Sequence, residues 1–108
     1  MTIDAPDASA LARFYAGLTG MDMTYDGPEG ALISADGRNL MFQQISDYNP
    51  PRWPDPAYPQ QAHLDLLVDD LDTGETLALE LGASSLNAGG DRFRVLSDPA
   101  GHPFCLIR

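Results

Sequence analysis

The sequence predicts an α+β protein in which a βαβββ module occurs twice within a single domain of 108 residues. Two observations carry this prediction. The order strand–helix–strand–strand–strand reads twice along the chain, and landmarks of the first pass return in the second at nearly constant spacing. Asp7 is matched by Asp70, and Gly20 by Gly82. The two last strands, within "LMFQQI" and "PFCLIR", line up with Cys105 over Gln43, at the same spacing as the two glycines. An internal repeat is a stronger fold signal than any one element, because two independent stretches must agree.

Each element has a local reason. "MTIDA", residues 1–5, alternates as a strand does. Asp7 is placed to N-cap a helix whose apolar positions Leu11, Phe14, Tyr15 and Leu18 recur at i, i+3, i+4 and i+7, and Gly20 closes it. Strands are predicted at about 21–26, 31–35 and 39–45, between the glycine-containing turns "DGPEG" and "ADGR". Residues 46–61, "SDYNPPRWPDPAYPQQ", hold five of the nine prolines. Proline lacks a ladder donor and disfavours helix, so this stretch reads as an extended surface loop.

The second pass begins with "HLDLLVDD", a strand at 63–70. Asp72 and Glu75 give a D-x-x-E start resembling a capping box, and Leu77, Ala78 and Leu81 line a helix ending at Gly82. Strands follow at about 84–88, 91–97 and 103–107. "DPAG", residues 98–101, precedes the last of them with Asp, Pro and Gly where a type I turn wants them. The modules are therefore about 1–45 and 62–108, joined by loop 46–61. Their expected core is Ile3, Phe14, Leu18, Phe42, Leu64, Leu66, Leu81, Phe104 and Leu106.

Composition narrows the function classes. The net charge is −10, with sixteen acids against six arginines and no lysine. That field repels nucleic acid and anionic membranes and attracts cations. Without lysine there is no Schiff-base chemistry and no phosphate-loop lysine. One cysteine forms no internal disulfide, which fits a reducing cytoplasm, and neither a membrane span nor a signal peptide is expected.

Two modules carrying "HLDLLVDDLD" and a terminal "DPAGHPFCL" resemble the vicinal oxygen chelate superfamily. Its members include glyoxalase I, extradiol dioxygenases, fosfomycin-resistance enzymes and bleomycin-binding proteins. More narrowly, the chain is similar to small glyoxalase-like domain proteins. The resemblance implies that each module curls its strands into half of an open, cup-shaped barrel with helices outside, and that the protein is a homodimer with loop 46–61 near the cup mouth. It also implies a divalent-metal site with up to four ligands, one on the first and last strand of each module. The third position falls on His63, the second on Gln43 and the fourth, usually glutamate in "GHxxE", on Cys105. The first falls one residue before Met1.

Alternation puts Cys105 and Ile107 on one strand face and Phe104 and Leu106 on the other, with His63, Asp65 and Leu67 sharing a face and Gln43 sharing one with Met41. One imidazole, one thiol and a neutral amide are a short donor set, so no metal and no cofactor is expected. Asp65 either orients the imidazole or stands in the cup as an anion. His102, in the turn, is expected to hydrogen-bond nearby backbone. Tyr48, Arg52, Trp53 and Tyr58 make the loop either a recognition element or a strap pinned by Trp53.

The expected function is non-catalytic or weakly catalytic binding of a small organic molecule in the cup, cationic or aromatic, by His63, Gln43, Cys105, Asp65, Trp53 and Tyr48. A metal-dependent lyase, isomerase or dioxygenase is the alternative. A module acting through its dimer is a third reading.

Overall fold

The computed structural model describes residues 1–108, which form β1 (Thr2–Ala5), α1 (Ala8–Thr19), β2 (Asp22–Gly27), β3 (Gly30–Ala35) and β4 (Arg38–Gln44), followed by β5 (Leu64–Leu67), α2 (Leu71–Leu81), β6 (Ser84–Gly89), β7 (Phe93–Ser97) and β8 (Pro103–Ile107). This is the βαβββ order twice over. The chain divides into two compact units, Met1–Asn49 and Pro50–Arg108. Each holds one four-stranded sheet, ordered β1-β4-β3-β2 in the first and β5-β8-β7-β6 in the second. In both, the first strand runs parallel to the last and the other pairs are antiparallel. No helix is long and apolar enough to cross a membrane.

In the first unit Asp7 caps α1 as its sequence position predicts. Its carboxylate accepts from Ala10 N at 3.0 Å. Gly20, at φ 77°, ends the helix and donates its N–H to Ala16 O. Leu11, Phe14 and Tyr15 are buried, and Tyr15 stacks on Phe42 with ring centroids 5.6 Å apart. Registers Ile3↔Phe42, Ala31↔Phe42 and Ile33↔Leu40 place these residues on the face toward α1. Leu18 is only half-buried.

The second unit departs from expectation at its helix. The N-cap of α2 is Asp70, which accepts from Asp72 N at 3.0 Å and from Thr73 Oγ1 at 3.0 Å. These donors hold its carboxyl below the usual range, with the Thr73 hydroxyl the larger cause. The expected capping box is absent. Asp72 and Glu75 instead grip Arg94 of β7, Asp72 at 2.9 Å, and tie the helix to the sheet.

The apolar face of α2 is also displaced. Leu71 and Ala78 are buried, whereas Leu77 and Leu81 are exposed. The cause is a close approach. A Cβ on Gly74 would stand 3.2 Å from Val68 Cγ1 and 3.4 Å from Leu106 Cδ1, so beyond Leu71 the small Gly74 and Ala78 take the sheet side while Leu77 and Leu81 point away from it. Under the helix Leu96, Phe104 and Leu106 are fully buried, while Leu64 and Leu66 are half-buried. The strand expected at 63–70 is shorter, Leu64–Leu67, so His63 lies one residue before it. Val68 N still donates to Ile107 O at 2.8 Å before the chain turns to cap α2.

The "DPAG" turn forms as predicted, with Gly101 N donating to Asp98 O at 2.9 Å. Asp98 is 3% exposed, and its Oδ1 accepts from Ala100 N at 2.9 Å and His102 N at 3.0 Å. That carboxylate sets the entry of β8, hence the position of Cys105. Replacing it leaves two donors without their acceptor. Asp98→Ala is expected to lose about 2–3 kcal/mol of stability by urea denaturation, and Asp98→Asn, which keeps one oxygen, about half as much. A loss below about 0.5 kcal/mol would show the turn to be held otherwise.

Candidate functional site

The second sheet has two unlike faces. Registers Leu64↔Phe104↔Leu96 and Leu66↔Leu106↔Arg94 run across the side covered by α2. On the opposite side Asp65↔Cys105↔Val95 makes one row and Leu67↔Ile107↔Phe93 the next. The second row is apolar yet open. Leu67 is 79% exposed and Phe93 42%. Neither row contains an arginine, and Asp65 is the only carboxylate in them.

His63 joins the polar row from just outside β5. Its Nε2 lies 3.2 Å from Asp65 Oδ1, as the i, i+2 spacing on one strand face allows. One donor atom each from His63, Asp65 and Cys105 lie within 4.8 Å of one another. The half-buried Cys105 thiol is pushed above its ordinary pKa, first by desolvation and then by the charge and hydrogen bond of Asp65. The Asp65 carboxylate therefore faces the sulfur. The protein keeps it as a thiol at neutral pH, which disfavours a thiolate nucleophile.

The remaining predicted residues lie elsewhere in the chain. Gln43 is exposed on β4 beside Asp4, on the face of the first sheet that also carries Met41 and Thr2. Tyr48 belongs to the same unit and Trp53 to the other. Trp53 is half-buried in a loop closed on itself, where Arg52 N donates to Tyr58 O at 2.7 Å and Asp55 N to Arg52 O at 2.8 Å. The Arg52 guanidinium sits 4.5 Å over the Tyr58 ring, so it is engaged within the loop. The backbone of His102 bonds Asp98 through both N and O, and this histidine is not part of the donor cluster.

The registers also correct the repeat. Phe42 pairs with Ile3 and Phe104 with Leu64, so the residue corresponding to His63 is Thr2, not a position before Met1. The first strands are offset by slightly less than the helix caps, because the second module has a longer connection from first strand to helix. Thr2, Asp4 and Gln43 thus occupy, in the first unit, the places of His63, Asp65 and Cys105 in the second. A depression of about 400 Å³ lies by Glu75, Asn87 and Arg94, none of which belongs to the cluster.

Two features lie outside what the sequence reading supplies. Asp65 is not among the metal donors expected there, although His63-x-Asp65 on a strand signals it. The open apolar row is the other, because Leu67, Phe93 and Ile107 resemble core residues. Alternation continued from Cys105 is the signal that exposes it.

Paired βαβββ units with this strand order define a protein of the glyoxalase type of fold. Solved structures agree. A glyoxalase/bleomycin resistance protein/dioxygenase family enzyme from Burkholderia phytofirmans PsJN superposes with a TM-score of 0.75 at 17% identity, covering 98% of this chain and 93% of that one. A glyoxalase-related enzyme from Fulvimarina pelagi gives 0.74 at 17% identity, covering 99% and 84%. Lactoylglutathione lyase from Agrobacterium tumefaciens gives 0.67 at 19% identity, covering 99% and 89%. No curated protein matches the sequence significantly. The sequence model of the glyoxalase-like domain matches residues 1–107, and the chain belongs to that family.

The environment of Cys105 makes a pH-dependent prediction. In chelator-treated protein, alkylation of the thiol by iodoacetamide should follow a thiolate that appears only above the ordinary cysteine range. Asp65→Asn removes the nearby negative charge, so the pKa should fall and alkylation at pH 8 should quicken several-fold. An unchanged or slower rate would mean that Asp65 does not face the sulfur.

Proposed function

We propose that this protein binds a small organic molecule on the open face of its second sheet. The ligand's polar or cationic group meets Asp65 and His63, and its flat apolar body rests on Leu67, Ile107 and Phe93. The observation supporting this reading is the exposed apolar row one step along the sheet from the polar one. Two strand residues span roughly 6–7 Å, about the length of an aromatic ring with one substituent. Desolvating large side chains left open to water favours such a ligand, and a single carboxylate without an arginine beside it favours a cation over a phosphorylated metabolite. The self-closed loop at 52–58 supports a structural role for Arg52 more than anion capture.

One observation favours a second reading, a metal-dependent lyase, isomerase or dioxygenase. The clustered donors of His63, Asp65 and Cys105 offer three ligand atoms where the sequence reading has an imidazole, a thiol and an amide. A Lewis-acidic cation held there would polarise a substrate oxygen. The homodimer and a cytoplasmic location belong to the proposal as well.

The binding reading is tested by a thermal-shift panel of cationic aromatics, neutral aromatics and anionic metabolites. A ligand at a hundred times its dissociation constant stabilises by about 2.7 kcal/mol. Cationic aromatics should therefore raise Tm by several degrees, and the shift should largely vanish in Leu67→Ser, whose own Tm should match the parent. Saturable shifts by anionic metabolites alone, or shifts untouched by Leu67→Ser, would contradict it.

Assembly is checked separately by sedimentation. A dimer is expected at micromolar concentration, and a strict monomer would remove that part of the proposal.

A further inference from the structure

We propose that the depression beside α2, between Glu75, Ser85, Asn87, Gly90 and Arg94, binds a small α-amino acid as its zwitterion, with the carboxylate on Arg94 and the ammonium on Glu75. This place is separate from the open face described above. Arg94 pairs with Leu106, on the side of the sheet that α2 covers, whereas Asp65 and Cys105 face the other way.

Local structure makes the depression. β6 and β7 lose register between Ser85 and Ala88, so Leu86 and Asn87 bulge out of the ladder. Asn87 stands at φ 54°, in the left-handed region that asparagine tolerates, and its N–H donates to Ser85 Oγ at 3.1 Å. A bulge bends its strand and re-aims the side chains beside it. Here a space of about 400 Å³ lies open against the helix, the size of a small-ligand pocket. Gly90 lines it, and a Cβ there would meet nothing within 4 Å.

The charges select the ligand. The lining holds one acid, Glu75, and one base, Arg94. The two are in contact, and Asp72 holds the second terminal nitrogen of the guanidinium at 2.9 Å. A ligand with only a negative charge meets the carboxylates, and one with only a positive charge meets the guanidinium. A ligand with both signs close together is opposed by neither. The Arg94 and Glu75 side chains are 32% and 22% exposed, so such an attraction is screened less than on an open surface.

Neither partner is used up. Arg94 spends one donor on Glu75 and one on Asp72, and its other N–H groups remain for a ligand carboxylate. Glu75 accepts through Oε2, which leaves Oε1 for an ammonium. Because acid and base touch, the ligand's charged groups must be neighbours too, as they are about the Cα of an amino acid. The Ser85 hydroxyl accepts from Asn87 and still has its proton to give, while the Asn87 amide both donates and accepts. These groups suit a short polar side chain.

The test is a calorimetric titration of the full chain with L-serine, L-serinamide, which lacks the carboxylate, and N-acetyl-L-serine, which lacks the ammonium. Serine should bind saturably at one site. Each analogue should bind at least about tenfold more weakly, since each leaves one charged hydrogen-bonding group unmet. Gly90→Leu puts a side chain into the open space and should abolish binding, with a circular dichroism spectrum like the parent's. Leu67→Ser, on the opposite face, should leave binding unchanged. In the parent protein, serine should shift the NMR amide resonances of Ser85, Asn87 and Gly90 and leave those of Asp65 and Leu67 in place, a readout that needs no variant.

The proposal is overturned if serine gives no saturable binding, if either analogue matches it, if folded Gly90→Leu binds as the parent does, or if the shifted amides are those of Asp65 and Leu67. Its failure would leave the organic-ligand reading standing, because that rests on Leu67 and Phe93.

Discussion

Burial of Phe104 and Leu106 beneath α2 is the constraint on which the second unit depends. Both are without solvent exposure, and they alternate with Cys105 on one strand. A strand has a period of two, so the residues between and after them, Cys105 and Ile107, must face the other way. The parallel pairing of β5 with β8 extends this choice to Asp65 and Leu67, and the antiparallel pairing of β7 extends it to Val95 and Phe93. A slip of one residue would turn the thiol under the helix and expose two large side chains, at a cost of several kcal/mol by burial of apolar area. The core thus fixes the chemistry of the opposite face. Asp98 serves the same end, since its bonds to Ala100 and His102 start β8 in this register.

The two units share a strand order and differ in what their open faces offer. The first carries Thr2, Asp4 and Gln43 at the places where the second carries His63, Asp65 and Cys105. Only the second therefore has an imidazole and a thiol close to a carboxylate. Burial first, and then the charge and hydrogen bond of Asp65, push the Cys105 thiol above its ordinary pKa. The row of Leu67, Ile107 and Phe93 adjoins these groups on the same face.

Most of the fold is legible in the sequence because its signals are local and doubled. Asp7, Gly20 and Gly82 do what a cap does wherever it occurs, and "DPAG" makes the turn its residues favour. What is not legible depends on tertiary contact. Glu75 reads as a capping residue, but Arg94 lies across from it and is the stronger partner for a carboxylate. Leu77 and Leu81 read as the helix face, but Gly74 and Ala78 let α2 approach the sheet along another line. The site is half-legible. His63 and Cys105 are marked by position, whereas the approach of Asp65 to Cys105 needs the pairing of two strands. The place of Thr2 is hidden when a single offset is applied to elements whose offsets differ.

The alternation of β8 is tested most directly by proton–proton distances in solution. NOE spectra of the reduced protein should connect the Cys105 β-protons to Asp65 and the His63 ring, and a Leu106 methyl to the Gly74 α-protons. Contacts from Cys105 to α2, or from Leu106 to Asp65, would place the strand in the opposite register and contradict the account of the face built on it.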